Sequence, residues 1–504
     1  MVAGWVTRVC VPPPGGVTGA GATVGRTARG RFISRTINRS GEASSVVVVS
    51  VLTGLAVAWL IAGLHWYLWR RLVRDTTRDG SRWRIPGGIV LGAGAITMCG
   101  AFVVMFVEVD RADWRWLTWP GFLWAALFLY LLLGVLAGEV VRPLLLRGLV
   151  RRDAGTAAPA GGGETSTAAD TAPGAVESSV TPQPVGAAVG ESPGTSTPRP
   201  GRPGPAAPTG TDPGAAVSGV APPPPVSRLL SRRLLVSRLA AGATVIAAGA
   251  IVGTGTYGVL NGPVVRRVTV PLAKLPAQAH GLRIALVSDL HLGPALGRAF
   301  CEGVVRTVND TRPDLIAVVG DLADGTVDDL RAETDPLAGL TAPLGVYYVP
   351  GNHEYFADAD AWLARAGELG MKVLLNDRVS LPDFDLAGVD DPRGTAIGRG
   401  PDFAAALDGR DTDRACVLLA HQPIVVHESV AYGVDLQLSG HTHGGQLWPG
   451  NLIARLPNPT VAGLELYGAT ALYVTRGAGA WGPPVRVAAP SDITVLELAS
   501  LQGV

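Results

Sequence analysis

Five short apolar runs in the C-terminal half each end in a side chain able to bind a metal ion. Run 284–287 leads into Ser288-Asp289-Leu290-His291, and run 315–319 into Gly320-Asp321. Run 346–349 leads into Pro350-Gly351-Asn352-His353-Glu354. Run 415–420 ends at His421, and run 434–438 leads to Gly440-His441-Thr442-His443. The runs have strand length, and many of their residues are β-branched. Helical stretches are expected between several of them, at 296–309 and 358–369. This is an α/β pattern, and the carboxyl ends of strands are where open α/β sheets carry their ligands. An isolated Asp-x-His is ordinarily a surface loop. Five such motifs in succession, holding five of the eight histidines, constrain the chain to one convergent site.

The residue types suit hard or borderline divalent ions. A carboxylate can bridge two cations, and an Asn carbonyl adds a ligand without charge. Two such ions about 3.5–4 Å apart lower the pKa of a shared water and neutralise charge in an in-line displacement at phosphorus. Mixed nitrogen and oxygen ligands accept Mn, Fe and Zn alike, so metal identity stays open.

The N-terminal half is of another kind. Residues 46–69, 87–107 and 119–141 are apolar runs of bilayer-spanning length, and 239–260 is a fourth. Trp59, Trp66, Trp69, Trp114, Trp116 and Trp119 cluster near the ends of these runs, as interfacial aromatics do. Glu139 is expected to reach the headgroup region. Residues 153–226 contain no aromatic residue, Leu, Ile or Met and are expected to form a disordered linker. The expected organisation is a tail (1–45), a three-helix membrane region (46–152), the linker (153–226), a fourth anchor (227–262) and a catalytic domain (263–504). The formal net charge of +1 gives no reason to expect a nucleic-acid partner.

Arginine counts beside the spans set the expected orientation. The loop after the first run carries Arg70, Arg71, Arg74, Arg78, Arg82 and Arg84 and should be cytoplasmic. The catalytic domain then lies outside. Six arginines in the first 45 residues disagree with that path. Ser231-Arg232-Arg233-Leu234-Leu235-Val236 reads either as a twin-arginine export signal or as the positive flank of an ordinary anchor. Cys301 and Cys416 are expected as small buried residues, or as a pair if the domain is exported. His280 and His427 lie outside the motifs and are expected to be structural or exposed.

The motif set resembles the calcineurin-like metallophosphoesterase superfamily over about residues 280–498. Pro350 stands where protein phosphatases of that superfamily usually carry arginine. Gly440 to Pro449 and Gly388-Val389-Asp390-Asp391-Pro392 look more like its bacterial membrane-tethered phosphodiesterases. The resemblance implies a four-layer αββα sandwich, two mixed sheets flanked by helices, preceded here by transmembrane helices. It also implies two divalent metal ions. One would be held by Asp289, His291, Asp321 and His443, the other by Asp321, Asn352, His421 and His441. Asp321 would bridge, and His353 would act beside the metals as the catalytic residue. The expected function is hydrolysis of a phosphodiester or phosphomonoester, with a phospholipid or lipid-linked phosphate as one substrate class. A membrane sensor or scaffold with a non-catalytic phosphoesterase fold is the alternative. Asp390 and Asp391 either shape the pocket or form a plain turn. The loop with Leu447, Trp448, Leu452, Ile453, Arg455 and Leu456 either folds on its own domain or dips into a bilayer.

Overall fold

A computed structural model describes residues 52–106, 112–156 and 226–502. The proposed tail and nearly all of the proposed linker lie outside the described residues, as does Cys10.

Twelve strands among the described residues form two mixed six-stranded sheets. The first has the order β1 (Val264–Leu272), β12 (Asp492–Ser500), β2 (Leu282–Val287), β3 (Leu315–Val319), β4 (Val346–Val349) and β5 (Lys372–Val373). The second has the order β10 (Gly463–Tyr467), β11 (Thr470–Val474), β9 (Leu436–Ser439), β8 (Ala415–Leu419), β7 (Phe384–Gly388) and β6 (Asp377–Ser380). Strands β2 to β5 run parallel, and so do β7, β8, β9 and β11.

Side-chain alternation sorts the sequence into layers. Ile284, Leu286, Leu315, Ala317, Val319, Tyr347 and Val349 face the other sheet, where Phe384, Leu386, Val417, Leu419, Leu436 and Leu438 meet them. The intervening residues Ala285, Val287, Ile316, Val318 and Tyr348 face outward onto helices. Helix α5 (Arg298–Asp310) lays Cys301, Val304, Val305 and Val308 on them at helical spacing. Helix α8 (Ala359–Glu368) contributes the fully buried Trp362 and is capped by Asp358, whose carboxylate accepts from the Ala361 N–H. On the second sheet, Ala387, Cys416, Leu418 and Ala420 pack against Phe403, Ala406 and Leu407 of α9 (Phe403–Leu407). The result is two sheets between helical layers. Cys301 and Cys416 are buried and unpaired, each in a different outer layer.

Four helices are long and apolar enough to cross a membrane: α1 (Leu52–Arg74), α2 (Arg84–Phe106), α3 (Arg115–Thr156) and α4 (Val226–Leu260). Two boundaries differ from expectation. Helix α3 runs to Thr156, past the start proposed for the linker, and α4 begins at Val226, well before its apolar run. Helical hydrogen bonding continues through flanking arginine-rich residues, which have good helix propensity. The Glu139 carboxylate pairs with Arg71 at 2.7 Å, which ties α3 to the arginine-rich end of α1. His65, inside the first run, accepts from the Trp124 indole N–H at Nε2 (3.1 Å).

Loops of the C-terminal α/β domain lie against these helices. Val485 belongs to the same buried cluster as Ala126, Tyr130, Ala248 and Val252, with Leu447 and Val487 packed on it. The Tyr130 hydroxyl donates to the Trp448 carbonyl (2.9 Å), and the Arg486 amide donates to the Gly255 carbonyl (3.3 Å).

Candidate metal centre

The parallel strands of each sheet point their carboxyl ends to one edge, where the five motifs meet. The loops extend the sheets before they diverge. The Asp289 amide donates to Gly320 O (3.1 Å), and the Gly440 amide donates to His421 O (3.0 Å). Asp289, His291, Asp321, His441 and His443 all have φ between 45° and 71°. Non-glycine residues seldom adopt that region, and strain of this kind gathers at functional sites. Neighbouring glycines allow the close approach. A Cβ on Gly351 would stand 2.2 Å from Asp321 Oδ1, and one on Gly440 would stand 2.4 Å from Asp289 Oδ2.

Three groups of side chains offer ligand atoms that lie within 4.8 Å of one another: Asp289 with His291 and His443, His291 with Asp321 and His353, and Asp321 with His421 and His441. His291 Nε2 and His443 Nε2 are 3.0 Å apart, and His443 Nε2 lies 3.4 Å from Asp289 Oδ1. Asp321 Oδ2 stands 3.2 Å from His421 Nε2 and 3.7 Å from His291 Nε2, between the two clusters. Asn352 Oδ1 lies 3.2 Å from His421 Nε2 and 2.8 Å from His441 Nδ1. All seven proposed ligands thus converge.

The donor set fits divalent cations. In each group the nitrogen and oxygen atoms lie within 4.8 Å of one another. The opposite ring nitrogens of His421 and His291 are engaged, His421 Nδ1 by Val319 O (2.8 Å) and His291 Nδ1 by Asp324 Oδ1 (2.8 Å). That leaves Nε2 of each ring turned inward, the arrangement metal-binding histidines use.

His353 stands at the rim. Its backbone N–H donates to Asp321 Oδ1 (2.9 Å), and its Nδ1 lies 2.7 Å from Asp324 Oδ1. Burial would lower its pKa, but the Asp321 and Asp324 carboxylates outweigh burial and raise it to about 9. The sequence pattern did not single out Asp324, which sits between His291 and His353. Burial acts to raise the Asp324 pKa, but His291 and His353 hold the carboxyl below the usual carboxylate range. Its only signal was its place three residues after Asp321.

Two further supports escaped the motif reading. Glu354 is fully buried and accepts three backbone N–H groups, from Leu322 (2.7 Å), Gly351 (2.7 Å) and Asp321 (3.0 Å). The buried Arg486 guanidinium lies 2.9 Å from His443 Nδ1 and donates to the carbonyls of His443, Arg476 and Gly479. Asp390 and Asp391 are buried rather than forming a plain turn. Asp390 accepts from the Tyr355 hydroxyl, and Asp391 accepts from Gln422, the neighbour of His421. His280 and His427 are exposed and apart from the site.

Replacing Asp324 by Asn should keep the fold and weaken the site. Loss of the carboxylate leaves His291 and His353 without their shared anion, and outer-shell partners of this kind are worth roughly 10–100-fold in affinity or activity. Any rate that requires protonated His353 is full below its pKa and falls as pH rises through it, and the Asp324 carboxylate acts to raise that pKa. In Asp324→Asn that alkaline limb should move to lower pH. A pH–rate profile of both proteins checks this, and an unmoved limb would mean that Asp324 does not set the charge on His353.

A family model described as calcineurin-like phosphoesterase matches residues 282–445. The "Transmembrane protein with metallophosphoesterase domain" of Danio rerio is 38% identical over 294 residues, 54% of this chain and 67% of that protein. The protein of the same description from Bos taurus is 40% identical over 261 residues, 48% of this chain and 59% of that protein. The "Uncharacterized metallophosphoesterase YkuE" of Bacillus subtilis is 32% identical over 274 residues, 51% of this chain and 94% of that protein. The chain therefore spans about three fifths to two thirds of the two vertebrate relatives and nearly all of the Bacillus one.

Proposed function

The chain belongs to the calcineurin-like phosphoesterase family, and from that premise we propose that it is a membrane-anchored, metal-dependent phosphoesterase. The observation that carries this reading is the convergence of Asp289, His291, Asp321, Asn352, His421, His441 and His443 on one strand edge. Asp289, His291, Asp321 and His443 would hold one divalent ion, and Asp321, Asn352, His421 and His441 a second. Mn, Fe and Zn all suit this donor set. When bound, the pair supplies Lewis-acid activation of water and of the phosphoryl oxygens.

The chain's own residues do the remaining work. Asp321 faces both clusters and fixes their separation. Asp324 holds His353 cationic at the rim, where the imidazolium can stabilise phosphoryl charge and pass a proton to the leaving oxygen. A bond forms from the water oxygen to phosphorus, and the bond from phosphorus to the leaving alcohol oxygen breaks. The alcohol departs with the His353 proton, and for a diester the other product is a phosphomonoester. A phospholipid or lipid-linked phosphate is the preferred substrate class, since only about 28 residues separate the end of α4 from Asp289.

The test is hydrolysis of a chromogenic phosphodiester by the full chain in detergent with added Mn²⁺, beside Asp321→Ala. Manganese-dependent turnover by the unmodified protein alone is the expected result. Equal rates in both, or no turnover with metal bound, would favour a non-catalytic scaffold.

We place the catalytic domain outside the cytoplasm, because the arginine-rich loop between α1 and α2 marks the opposite end of the helices as cytoplasmic. Protease added to intact cells should then remove the C-terminal domain. Full protection that disappears only on lysis would reverse the orientation.

A further inference from the structure

The metal centre is not walled by the catalytic domain alone. His291 and Asp324 also line a small cavity of about 50 Å³ whose other wall comes from the apolar helices: Val104 and Met105 of α2, Thr118 and Phe122 of α3. Gly293, Pro294, Ala295, Ala480 and Gly482 close it from the domain side. Val104, Thr118 and Phe122 are buried, although they lie on helices whose neighbouring side chains, such as Ile96 and Val103, are largely exposed. Domain residues and the packing of α2 on α3 cover them together.

The level of this cavity follows from helix geometry. Trp114 and Trp116 mark the start of α3 and stack on each other. Phe122 is about two turns further along, roughly 10 Å of axial rise from Arg115. Tyr130 is roughly 22 Å along the same axis, and its hydroxyl holds the Trp448 carbonyl. The loop after the last motif therefore runs beside α3 well past the cavity. Trp448, Leu452, Ile453 and Leu456 on this loop are 53–78% exposed. Apolar side chains displayed at the depth of a span are matched by lipid rather than by water. The loop also packs on its own domain, where the Trp448 amide donates to the Val487 carbonyl (3.1 Å). The other rim of the site is apolar as well, with Phe356 exposed 5.2 Å from the His353 ring and Trp481 at 6.1 Å.

We propose that the substrate is an amphipathic phosphate ester that reaches the site from the plane of the bilayer. Its phosphate lies at the metal centre, and the first part of its apolar chain lies on Val104, Met105, Thr118 and Phe122. The proposal rests on the phosphoesterase reading and deepens it. The cavity is continuous with two residues of the metal centre, which ties its occupant to the molecule being hydrolysed. Its far wall belongs to helices that sit in lipid, so an apolar group arriving there need never cross water. The helices thereby become part of the specificity pocket as well as an anchor.

The experiment uses the full chain in lipid nanodiscs with Mn²⁺ and a series of alkyl p-nitrophenyl phosphates, from methyl to hexadecyl. The aryl leaving group is constant, so the series varies only the chain. Burial of each methylene is worth roughly fourfold, and the ratio of hexadecyl to methyl kcat/KM should be at least about tenfold. Partition into the nanodisc would also favour the long chain, so the variants carry the distinction. Val104→Trp, and Thr118→Ile as a gentler filling, should cut that ratio by about tenfold. Ile96→Trp, on the lipid-facing side of α2, should leave it unchanged. A ratio equal in Val104→Trp, Thr118→Ile and the unmodified protein overturns the proposal, because partition alone then explains the preference. A ratio near one in the unmodified protein overturns it as well. Failure to hydrolyse even the methyl ester is a different result, since it removes the phosphoesterase reading itself.

Discussion

Replacing Asp321 by Ala should reduce hydrolysis by about a thousandfold or more, roughly 4 kcal/mol of transition-state stabilisation, and should remove bound metal. The side chain is buried between the two clusters, with Oδ2 3.2 Å from His421 Nε2 and 3.7 Å from His291 Nε2. It belongs both to the group with His291 and to the group with His421 and His441. Only two of the seven proposed ligands, Asp289 and Asp321, carry negative charge. Two divalent cations would leave the site positive, the sign an anionic phosphate ester requires. Losing one carboxylate halves the negative charge the protein sets against the two cations, and like-charged ions a few ångströms apart then repel with less to offset them. Asp321→Asn is the sharper variant. Its amide oxygen can still accept the His353 backbone N–H that Oδ1 accepts now (2.9 Å), so the loop keeps its shape. Elemental analysis should fall from about two ions per chain to one or none in either variant, with the melting temperature of the metal-free proteins little changed. An Asp321→Asn protein with full metal content and full rate would remove Asp321 from the bridging position and the two-ion scheme with it.

The sequence marked the class of fold and the residues that gather at the site more clearly than it marked the individual elements. Strands β3 and β4 have the bounds read from their apolar runs, because strands buried on both faces are nearly all apolar. The seven ligand types were legible for a related reason. Each follows directly on such a strand, so the chain position and the chemistry mark the same point. What escaped was structure whose signal is diluted by exposure or by a partner distant in sequence. Strand β1 contains Arg266, Arg267 and Thr269 and pairs only with β12 at the sheet edge, so it lacks an apolar run. Strand β7 is central and buried, yet its Asp385 broke the pattern. That carboxylate is compensated by Arg414 at 3.2 Å, which no local reading of residues 384–388 supplies. Arg486 was invisible for the same reason, since it reaches a histidine 43 positions away. The contact between the metal loops and α2 and α3 lay beyond reach altogether. Hydropathy marks a helix as apolar without saying which of its faces a distant domain will cover.

Glu354 to Ala is expected to be the most destabilising single change in the C-terminal α/β domain, by about 3–5 kcal/mol. One oxygen accepts the Asp321 and Gly351 amides and the other accepts the Leu322 amide, all within 3.0 Å. These donors belong to the turns after β3 and β4. Their directions are set by Gly320, at φ 76°, and by the sharp entry into Asn352. With the carboxylate gone, three buried N–H groups lose their acceptor together, in a space the surrounding side chains keep from water. For a domain of this size the loss corresponds to a melting temperature lower by roughly 10 °C. Glu354→Gln should fall between the two. Its amide oxygen can serve one side, but its NH₂ group then meets an N–H on the other. Activity should drop with stability, because the same amides orient Asp321 and Asn352. The comparison is thermal unfolding of the metal-free full chain in detergent, so that lost metal binding does not masquerade as lost folding. If Glu354→Ala melted with the unmodified protein while losing activity, the carboxylate would be acting on the reaction directly rather than holding the two metal loops together.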